Sequence, residues 1–195
     1  MIIDIQEGSV DLLPQYAKIP ISFEVKSIYQ VEMIDHGLGG IHLHEEIVHT
    51  PYLKDYDSYG EGGPEQWSKQ YDISNWGIVL AWVGETCVGG AAIAYNTAGV
   101  YMLEGSRDLA VLWDIRVQPD YRRCGVGTAL FQHTADWARR HECKRLKIET
   151  QNVNVPACRF YVRQGCELGI FHRYGYAGHP QVEHEVMLVW YLSLL

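Results

Sequence analysis

The feature that most constrains the fold of this chain is the segment RRCGVGT at positions 122–128. It follows a predicted strand at 109–117 and precedes a predicted helix at 128–141, where apolar residues recur at helical spacing. Gly125 and Gly127 let the backbone approach a ligand closely and adopt dihedral angles that a side chain would forbid. The helix directs its first N–H groups and the positive end of its dipole at the same point. Together with the two arginines, these features predict an anion site that fits a pyrophosphate.

Two other phosphate-binding motifs do not match this segment. A dinucleotide-binding fingerprint requires a third glycine at position 130, where this chain has Leu130. A P-loop requires Gly-Lys-Ser/Thr after a longer loop, and this chain lacks that sequence. Taken alone, the segment is equally compatible with a glycine-containing turn that only joins a strand to a helix.

The remaining periodicity predicts a mixed α/β fold. Predicted strands occupy 78–83, 87–95, 109–117, 145–150, 167–172 and 185–192, and predicted helices occupy 128–141 and the stretch from Pro156 to Gly165. The stretch 51–77 is interpreted as a surface excursion with interleaved aromatic residues. This order favours a mixed sheet with helices on its faces. At 195 residues, the chain is expected to form a single domain, 1–195.

The charge balance is acidic, with a formal net charge of −8 at pH 7. Because an acidic surface repels phosphate backbones, we expect a cationic ligand and no nucleic-acid partner. The acidic residues of the 51–77 stretch could contribute to binding a cation; they include Asp55, Asp57, Glu61 and Glu65. Charges of this kind more often form a solvated surface, and that interpretation is favoured here.

The cysteine pattern indicates a reducing compartment. The five cysteines are Cys87, Cys124, Cys143, Cys158 and Cys166. They include no CxxC pair and form no recognisable disulfide framework. No stretch of about 18 apolar residues and no signal peptide is present, so we expect a cytoplasmic protein with no membrane partner. The aromatic pair Trp190 and Tyr191 fits either the core or a homodimer contact.

The histidine-rich segment HLHEEIVH at 42–49 raises the question of a metal site. A zinc-protease HExxH motif that starts at His44 would need a histidine where this chain has Val48. We therefore interpret the segment as the polar face of a helix and expect no metal.

Several stretches carry a family resemblance. They are FEV (23–25), PYLKDY (51–56), CVGG (87–90), DIRV (114–117), DYRRCGVGTAL (120–130), IETQNVN (148–154) and ACRFY (157–161). A strand, Arg-x-x-Gly-x-Gly, a helix, a strand, an asparagine and a Phe-Tyr pair on a short helix follow each other in the order of the GNAT acetyltransferases. The chain resembles that superfamily over about 78–192 and is more closely similar to the streptothricin acetyltransferases. The part at about 1–77 is the variable region.

The resemblance implies a mostly antiparallel α/β sheet with one splayed parallel strand pair, helices on both faces, and acetyl-CoA as co-substrate. The pantetheine arm would pair with backbone groups of 115–117, and the pyrophosphate would bind N–H groups of 123–128. The residues implied in cofactor binding are Ile115, Arg116, Val117, Arg122, Arg123, Cys124, Gly125, Val126, Gly127, Thr128, Asn154, Ala157, Phe160 and Tyr161.

Two of these residues have an alternative role. Tyr161 matches the family's tyrosine near the CoA sulfur and would protonate the departing thiolate, although Phe160 and Tyr161 could instead only pack their helix on the sheet. Asn154 matches the family's cofactor-contacting asparagine, and it could equally be a helix N-cap before Pro156.

The acceptor amine must lose a proton before it attacks, and Asp114 is the first candidate to bind or deprotonate it. Strand alternation places Leu112, Asp114 and Arg116 on one face. The resembling enzymes often carry a Glu-Asp pair here, whereas this chain has Trp113 in place of the glutamate. Glu149 is the second candidate, and a purely electrostatic role for Asp114 is equally compatible with the sequence.

The sequence therefore predicts an acetyl-CoA-dependent N-acetyltransferase. The expected acceptor is a primary amine of a small cationic substrate such as a streptothricin-type antibiotic, attacked directly in a ternary complex. Two alternatives stay open at this point, an acetyltransferase for protein or peptide amines and a non-catalytic acyl-CoA-binding sensor module.

Overall fold

The computed structural model describes residues 1–58 and 62–195, so Glu61 lies outside the described residues. The strands are β1 (Asp4–Gly8), β2 (Phe23–Ile34), β3 (Gly40–Lys54), β4 (Gly77–Val83), β5 (Thr86–Tyr95), β6 (Leu109–Val117), β7 (Arg145–Gln151), β8 (Glu167–His172) and β9 (Met187–Ser193). The α-helices are α1 (Leu13–Tyr16), α2 (Trp67–Gln70), α3 (Val126–Arg140) and α4 (Val155–Arg163). Short 3₁₀ turns cover Val10–Leu12, Asp35–Gly37, Tyr56–Ser58, Pro64–Gln66, Tyr101–Leu103 and Pro119–Tyr121.

Most predicted elements are confirmed within two residues, but two predictions are wrong. The segment 42–49 is not a helix face, because it lies in β3, where alternate residues point to opposite faces. The same strand continues to Lys54, so the first residues of the 51–77 stretch are regular structure. Both segments are strand because β3 pairs with β2 over this stretch. That pairing involves residues distant in sequence, so the local pattern of 42–54 did not predict it.

The chain divides into two compact units. Unit 1 comprises Met1–Ile21, Asp55–Ile148 and Tyr191–Leu195, and unit 2 comprises Ser22–Lys54 and Glu149–Trp190. The assignment of 1–195 to a single domain stays a prediction. In the described residues, no helix is both long and apolar enough to cross a membrane.

In unit 1 the strand order is β1-β4-β5-β6-β7. The first three pairings are antiparallel, and β6 pairs with β7 in parallel over Leu109–Leu112 and Arg145–Ile148. This confirms the mostly antiparallel sheet with a parallel pair. The parallel register ends at Leu112, although β6 itself runs on to Val117 against β5.

Two adjacent glycines of β5 place helices on both faces of this sheet. A Cβ on Gly89 would lie 3.0 Å from side chains of Val126 and Leu130 in α3, and one on Gly90 would lie 2.6 Å from the Tyr16 ring of α1. Because successive residues of a strand face opposite sides, α3 and α1 cover opposite faces. The expected helices on both faces are confirmed in unit 1.

Unit 2 contains the β2–β3 hairpin, helix α4 and the neighbouring strands β9 and β8. Asn152 connects its parts: its main chain and amide bond Tyr29 of β2 and Val186 before β9 at 2.8 to 3.0 Å. A buried ion pair between Lys54 and Glu185 adds a second connection. These contacts anchor the hairpin, since an isolated two-stranded hairpin has little stability of its own.

Candidate active site

The glycine turn lies between β6 and α3 in unit 1. Gly125 is the N-cap of α3 with φ +89°, and Arg123 is also left-handed with φ +61°. Left-handed residues in such a turn orient neighbouring N–H groups towards a common point, which forms a concave site for an anion. The segment 122–125 is exposed, and the first N–H groups of α3 lack partners within the helix. The turn therefore fits a phosphate group.

Arg122 anchors this turn to the end of β6. Its Nε donates to the carbonyl oxygen of Val117 at 3.1 Å, and burial lowers its pKa. The Cys124 thiol donates to the carbonyl oxygen of Arg122 at 3.5 Å. The helix begins at Val126, two residues earlier than predicted, so Gly127 lies in its first turn.

Asp114 and Arg116 form the centre of a buried cluster in unit 1. Arg116 donates from Nε to Oδ1 of Asp114 at 3.0 Å and from Nη2 to Oδ2 at 2.6 Å. Its two Nη atoms also donate to the Asp57 carboxylate at 2.7 and 2.8 Å, and Nη1 donates to the Ile19 carbonyl oxygen at 3.1 Å. The guanidinium has five N–H groups, and these contacts use all of them.

The Asp114 carboxylate is surrounded by donors. Besides Arg116, the Tyr16 hydroxyl donates to its Oδ1 at 2.8 Å, and the Asp114 side chain is 7% exposed. Burial raises the pKa of Asp114, and the donors from Arg116 and Tyr16 oppose that rise. Burial alone would lower the pKa of Arg116, but Asp114 and Asp57 raise it. Burial, reinforced by the Asp114 charge, raises the pKa of Tyr16 well above its usual value.

The sequence predicted part of this cluster. Alternation along β6 correctly placed Asp114 and Arg116 on one face, and their pairing follows from that placement. It was wrong for Leu112, because Leu112 pairs with Ile93 and Asp114 with Ala92, and these neighbours in β5 face opposite sides. The interpretation of the loop acids as a solvated surface is wrong for Asp57, whose carboxylate binds Arg116. Tyr16 was missed, because it lies far from Asp114 in sequence. In the structure its ring packs against Gly90, where a side chain would leave no room.

Trp113 occupies a β-bulge of β6. Ala92 of β5 faces Asp114 and Ile93 faces Leu112, so Trp113 is the extra residue. Its ring packs against Trp76 and Tyr71, with ring centroids 5.2 and 5.6 Å apart. A bulge bends its strand and is common beside active sites. The residue that stands in place of the family's glutamate therefore packs in an aromatic cluster.

The remaining predicted site residues lie in unit 2, in β7 and α4. Asn154 caps α4, because its side chain accepts from the N–H of Ala157 at 3.2 Å, which confirms the predicted cap. Tyr161 is buried, and its ring lies against Phe160 with centroids 5.5 Å apart. Packing is thus one role of this aromatic pair, and a role in chemistry stays a prediction.

Glu149 lies near the end of β7 and belongs to a hydrogen-bond chain. The Tyr176 hydroxyl donates to Oε1 of Glu149 at 2.8 Å, and Nε2 of Gln151 donates to the Tyr176 oxygen at 2.8 Å. Tyr176 and Gln151 were missed by sequence reasoning. Glu149 and Gln151 do share a face of β7 by alternation, whereas no local signal points to Tyr176.

Four of the five cysteines are buried, and all five are free thiols. Burial raises the pKa of the Cys143 thiol to about 11 and those of Cys158 and Cys166 to about 12. Thiols of this kind are poor nucleophiles. Over the described ranges 1–58 and 62–195, no three His, Cys, Asp or Glu side chains are grouped so that they could bind a metal ion.

The fold and the glycine turn together define a class of enzyme. Residues 43–166 match the acetyltransferase (GNAT) family, and the chain belongs to that family. The resemblance noted in the sequence is thereby confirmed, and the protein is an N-acetyltransferase.

Several relatives of this chain share one name within that family. Streptothricin acetyltransferase A of Bacillus subtilis (strain 168) is 30% identical over 149 residues, which cover 75% of this chain and 76% of the relative. Streptothricin acetyltransferase of Escherichia coli is 30% identical over 170 residues, which cover 87% and 84%. A Bacillus anthracis protein assigned as a streptothricin acetyltransferase, solved in complex with acetyl coenzyme A, is 26% identical with a TM-score of 0.76 over 98% of this chain and 99% of that chain.

A solved nourseothricin acetyltransferase has the same fold, with a TM-score of 0.75 at 20% identity over 100% of both chains. The glycine turn of this chain has the exposed helix N-terminus and flanking arginines that a CoA pyrophosphate requires. Acetyl-CoA therefore fits the residues present.

Proposed function

We propose that this protein moves the acetyl group of acetyl-CoA to a primary amine of a streptothricin-type antibiotic and thereby confers resistance. The observation that carries the proposal is the exposed turn 122–125 at the N-terminus of α3, in which Arg123 and Gly125 are left-handed. The names of the B. subtilis and E. coli relatives support the acceptor class. The net charge of −8 favours a cationic substrate.

We assign the cofactor to the residues predicted from the sequence. N–H groups of 123–128 bind the pyrophosphate, and backbone groups of Ile115, Arg116 and Val117 pair with the pantetheine arm as a peptide pairs with a sheet edge. Only the backbone of Arg116 is available for this, because its guanidinium is fully engaged with Asp114, Asp57 and Ile19. The amide nitrogens of α3 supply the positive end of a helix dipole.

The chemistry requires a neutral amine and an acid for the leaving group. The amine nitrogen attacks the carbonyl carbon of the thioester, a C–N bond forms, and the C–S bond breaks with its electron pair on sulfur. Tyr161 donates its phenolic proton to that thiolate, whose conjugate acid has a pKa of roughly 8.5. The attacking nitrogen loses one proton to water as the acetamide forms, and the phenolate regains one from water, so a neutral amine and acetyl-CoA give the acetamide and CoA with no net release of protons. A substrate that starts as an ammonium releases one proton when it becomes the neutral amine.

Of the two roles considered for Asp114, its contacts favour the electrostatic one. The Asp114 oxygens accept hydrogen bonds from the Tyr16 hydroxyl and from Nε and Nη2 of Arg116. Little of the Asp114 side chain is exposed. A base must offer a lone pair to the proton it accepts. We therefore assign Asp114 to fixing Arg116 and the local charge rather than to proton transfer.

An assay of thiol release tests the proposed reaction. Purified protein with acetyl-CoA should release CoA fastest with streptothricin, more slowly with a simple polyamine, and least with a lysine-containing peptide. A preference for the peptide would identify a protein acetyltransferase. Thermal stabilisation by acetyl-CoA without release of CoA in any mixture would identify a sensor module.

The turn is tested by Gly127→Asp, which places a negative side chain where we assign the pyrophosphate. At a hundredfold excess over Kd, acetyl-CoA should stabilise the wild type by about 2.7 kcal/mol, and Gly127→Asp should abolish that gain. Gln70→Asp adds the same charge on the exposed surface of α2 and should keep the full gain. A normal gain in Gly127→Asp would contradict the assigned site.

We further propose that the protein works in the cytoplasm, where its five free thiols stay reduced. Trp190 is buried within this chain, which fits the core interpretation of that residue. The homodimer stays a prediction that light scattering can test.

A further inference from the structure

Three aromatic side chains of unit 1 form a corner at the β-bulge of β6. The ring of Trp113 lies 5.2 Å from that of Trp76 and 5.6 Å from that of Tyr71, with interplanar angles of 56° and 74°. Tyr71 and Trp76 stack on each other with centroids 6.3 Å apart and an angle of 24°. Trp113 therefore forms one wall, and the Tyr71–Trp76 pair forms a second wall at a steep angle to it. We call these three residues the aromatic corner.

The aromatic corner has a fixed base and partly exposed walls. Trp76 is 3% exposed, and its Nε1 donates to Oγ1 of Thr97 at 3.0 Å. Trp113 and Tyr71 are half-buried, so part of each residue is open to solvent. Aromatic rings that surround a ligand at different angles bind ammonium groups in proteins, because the face of each ring is electronegative. The geometry of the corner therefore suits a cation.

The charge next to the aromatic corner also favours a cation. Ring contacts of 5.8 Å continue from Trp76 through Trp67 to Tyr16, and the Tyr16 hydroxyl donates to Asp114. Arg116 is shared in that cluster by two carboxylates, so the cluster carries a net negative charge when both are ionised. A net negative charge in a largely buried cluster attracts an ammonium group and repels an anion.

We infer that the aromatic corner binds an ammonium group of the acceptor and that Trp113 is a specificity-determining residue. The naming of the acceptor rests on the proposed function. Trp113 is the first residue of β6 beyond Leu112, where the parallel pairing with β7 ends. The cofactor is assigned to run along β6 from Val117 towards this point, so its thioester end lies on the side of Trp113.

The bound ammonium differs from the amine that is acetylated. The attacking amine must be neutral, whereas a group held against ring faces must keep its charge. The inferred substrate class is therefore an amine with at least two amino groups, one that reacts and one that the aromatic corner holds.

The ring at position 113 also predicts which cations bind well. The resembling enzymes often carry a glutamate there, and a carboxylate favours an ammonium that donates hydrogen bonds. An aromatic ring attracts a cation without such bonds and therefore also accepts a quaternary ammonium. Choline is thus a suitable probe, and its uncharged analogue neohexanol, in which carbon replaces nitrogen, has the same shape.

Ligand-observed NMR titration with the two probes tests the cation site without turnover. The wild type should bind choline about fivefold more tightly than neohexanol. Trp113→Leu should abolish this preference, and Trp113→Phe, which keeps a smaller ring, should retain part of it. Trp82→Leu removes another half-buried tryptophan of unit 1, whose Nε1 donates to Gln6, and should retain the full preference.

Three results would overturn the cation site: equal affinity for the two probes, tighter binding of neohexanol, or no binding of choline. Equal losses in Trp113→Leu and Trp82→Leu would also overturn it, because the binding would then not depend on the aromatic corner. Trp113→Phe keeps the test decisive if Trp113→Leu does not fold.

Turnover tests the link between the aromatic corner and the acceptor. In the wild type, kcat/KM for the diamine cadaverine should exceed that for the monoamine pentylamine, and Trp113→Leu should lower this ratio about fivefold, mainly through KM. An unchanged ratio in Trp113→Leu would overturn the assignment to the acceptor.

The failure of this inference differs from the failure of the proposed function. If the wild type acetylates no amine, the proposed function fails, and the choline titration still decides the cation site. If the wild type acetylates streptothricin but binds choline no better than neohexanol, the cation site alone fails.

Discussion

The two candidate carboxylates for proton transfer lie in different units and have different partners. In unit 1, Asp114 is enclosed by the Arg116 guanidinium and the Tyr16 hydroxyl. In unit 2, Glu149 accepts a hydrogen bond from the Tyr176 phenol. Breaking the first pair would leave a buried, unpaired charge, so its contacts matter most for stability. The Glu149 carboxylate is partly exposed, so its contacts should matter less for stability.

The comparison therefore predicts that the cluster of unit 1 matters most for stability, whereas the acid role proposed for Tyr161 belongs to unit 2. Residue type alone does not separate the two carboxylates, since both are acids on strands of the sheet. The variants below alter one unit at a time and measure both turnover and stability.

The largest effect is expected for Tyr161→Phe in unit 2. Loss of the general acid should lower kcat by roughly 10²–10⁴-fold, because the thiolate must then leave without a proton. The ring remains, so its packing on Phe160 is kept and the free energy of unfolding should change little. Steady-state kinetics and denaturant unfolding of the same preparation measure both quantities.

Affinity for acetyl-CoA should also be retained in Tyr161→Phe, as measured by calorimetry. Wild-type turnover in this variant would reduce Tyr161 to a packing residue. That result would remove the chemical role proposed for unit 2.

The second largest effect is expected for Arg116→Met in unit 1. Arg116→Met leaves Asp114 and Asp57 without their shared cation, and removal of one partner from a buried ion pair costs about 3–5 kcal/mol in the free energy of unfolding. The matched control is Arg159→Met, which breaks the exposed pair with Glu45 in unit 2 and should cost less than about 1 kcal/mol. Denaturant titration measures both variants.

Adding Asp114→Asn to Arg116→Met should recover part of the loss, because one of the two unpaired charges is then removed. Equal losses for Arg116→Met and Arg159→Met would show that the cluster is no more important than a surface pair. The stability role of unit 1 would then have no basis.

Strands with local sequence signals could be predicted, whereas strands defined by a distant partner could not. The strands 109–117 and 167–172 were predicted with their observed limits, because alternation and the bounding turns are local signals. The β2–β3 hairpin was not, because β3 has polar residues on both faces and is defined by its pairing with β2. Whether such a segment forms a strand depends on the side chains of its partner strand, so its own sequence pattern does not identify it.

The same distinction applies to the site. The glycine turn and the Asn154 cap could be predicted because the residues that form each of them are close in sequence. Tyr16 and Tyr176 could not, because the first contacts Asp114 across 98 positions and the second contacts Glu149 across 27. A tyrosine that supplies one hydrogen bond to a distant carboxylate leaves no spacing rule in the sequence.

The smallest expected effect is a pH dependence of stability that belongs to Tyr16. Burial, with the Asp114 charge, raises the pKa of Tyr16 well above the value of about 10 that it has in the unfolded chain. Between these two values the folded protein keeps the phenolic proton and the unfolded chain loses it. Stability from this group is therefore full below pH 10 and falls as the pH rises further, by about 1.4 kcal/mol per pH unit.

Tyr16→Phe should remove this alkaline slope, and the exposed Tyr174→Phe should retain it. Urea unfolding at pH 9, 10 and 11 measures the difference between the two variants, so the contribution of the other tyrosines cancels. Parallel slopes in both variants would mean that the Tyr16 phenol ionises as freely as an exposed one. The cluster around Asp114 would then be open to water, and the physical reason for excluding Asp114 as the base would be gone.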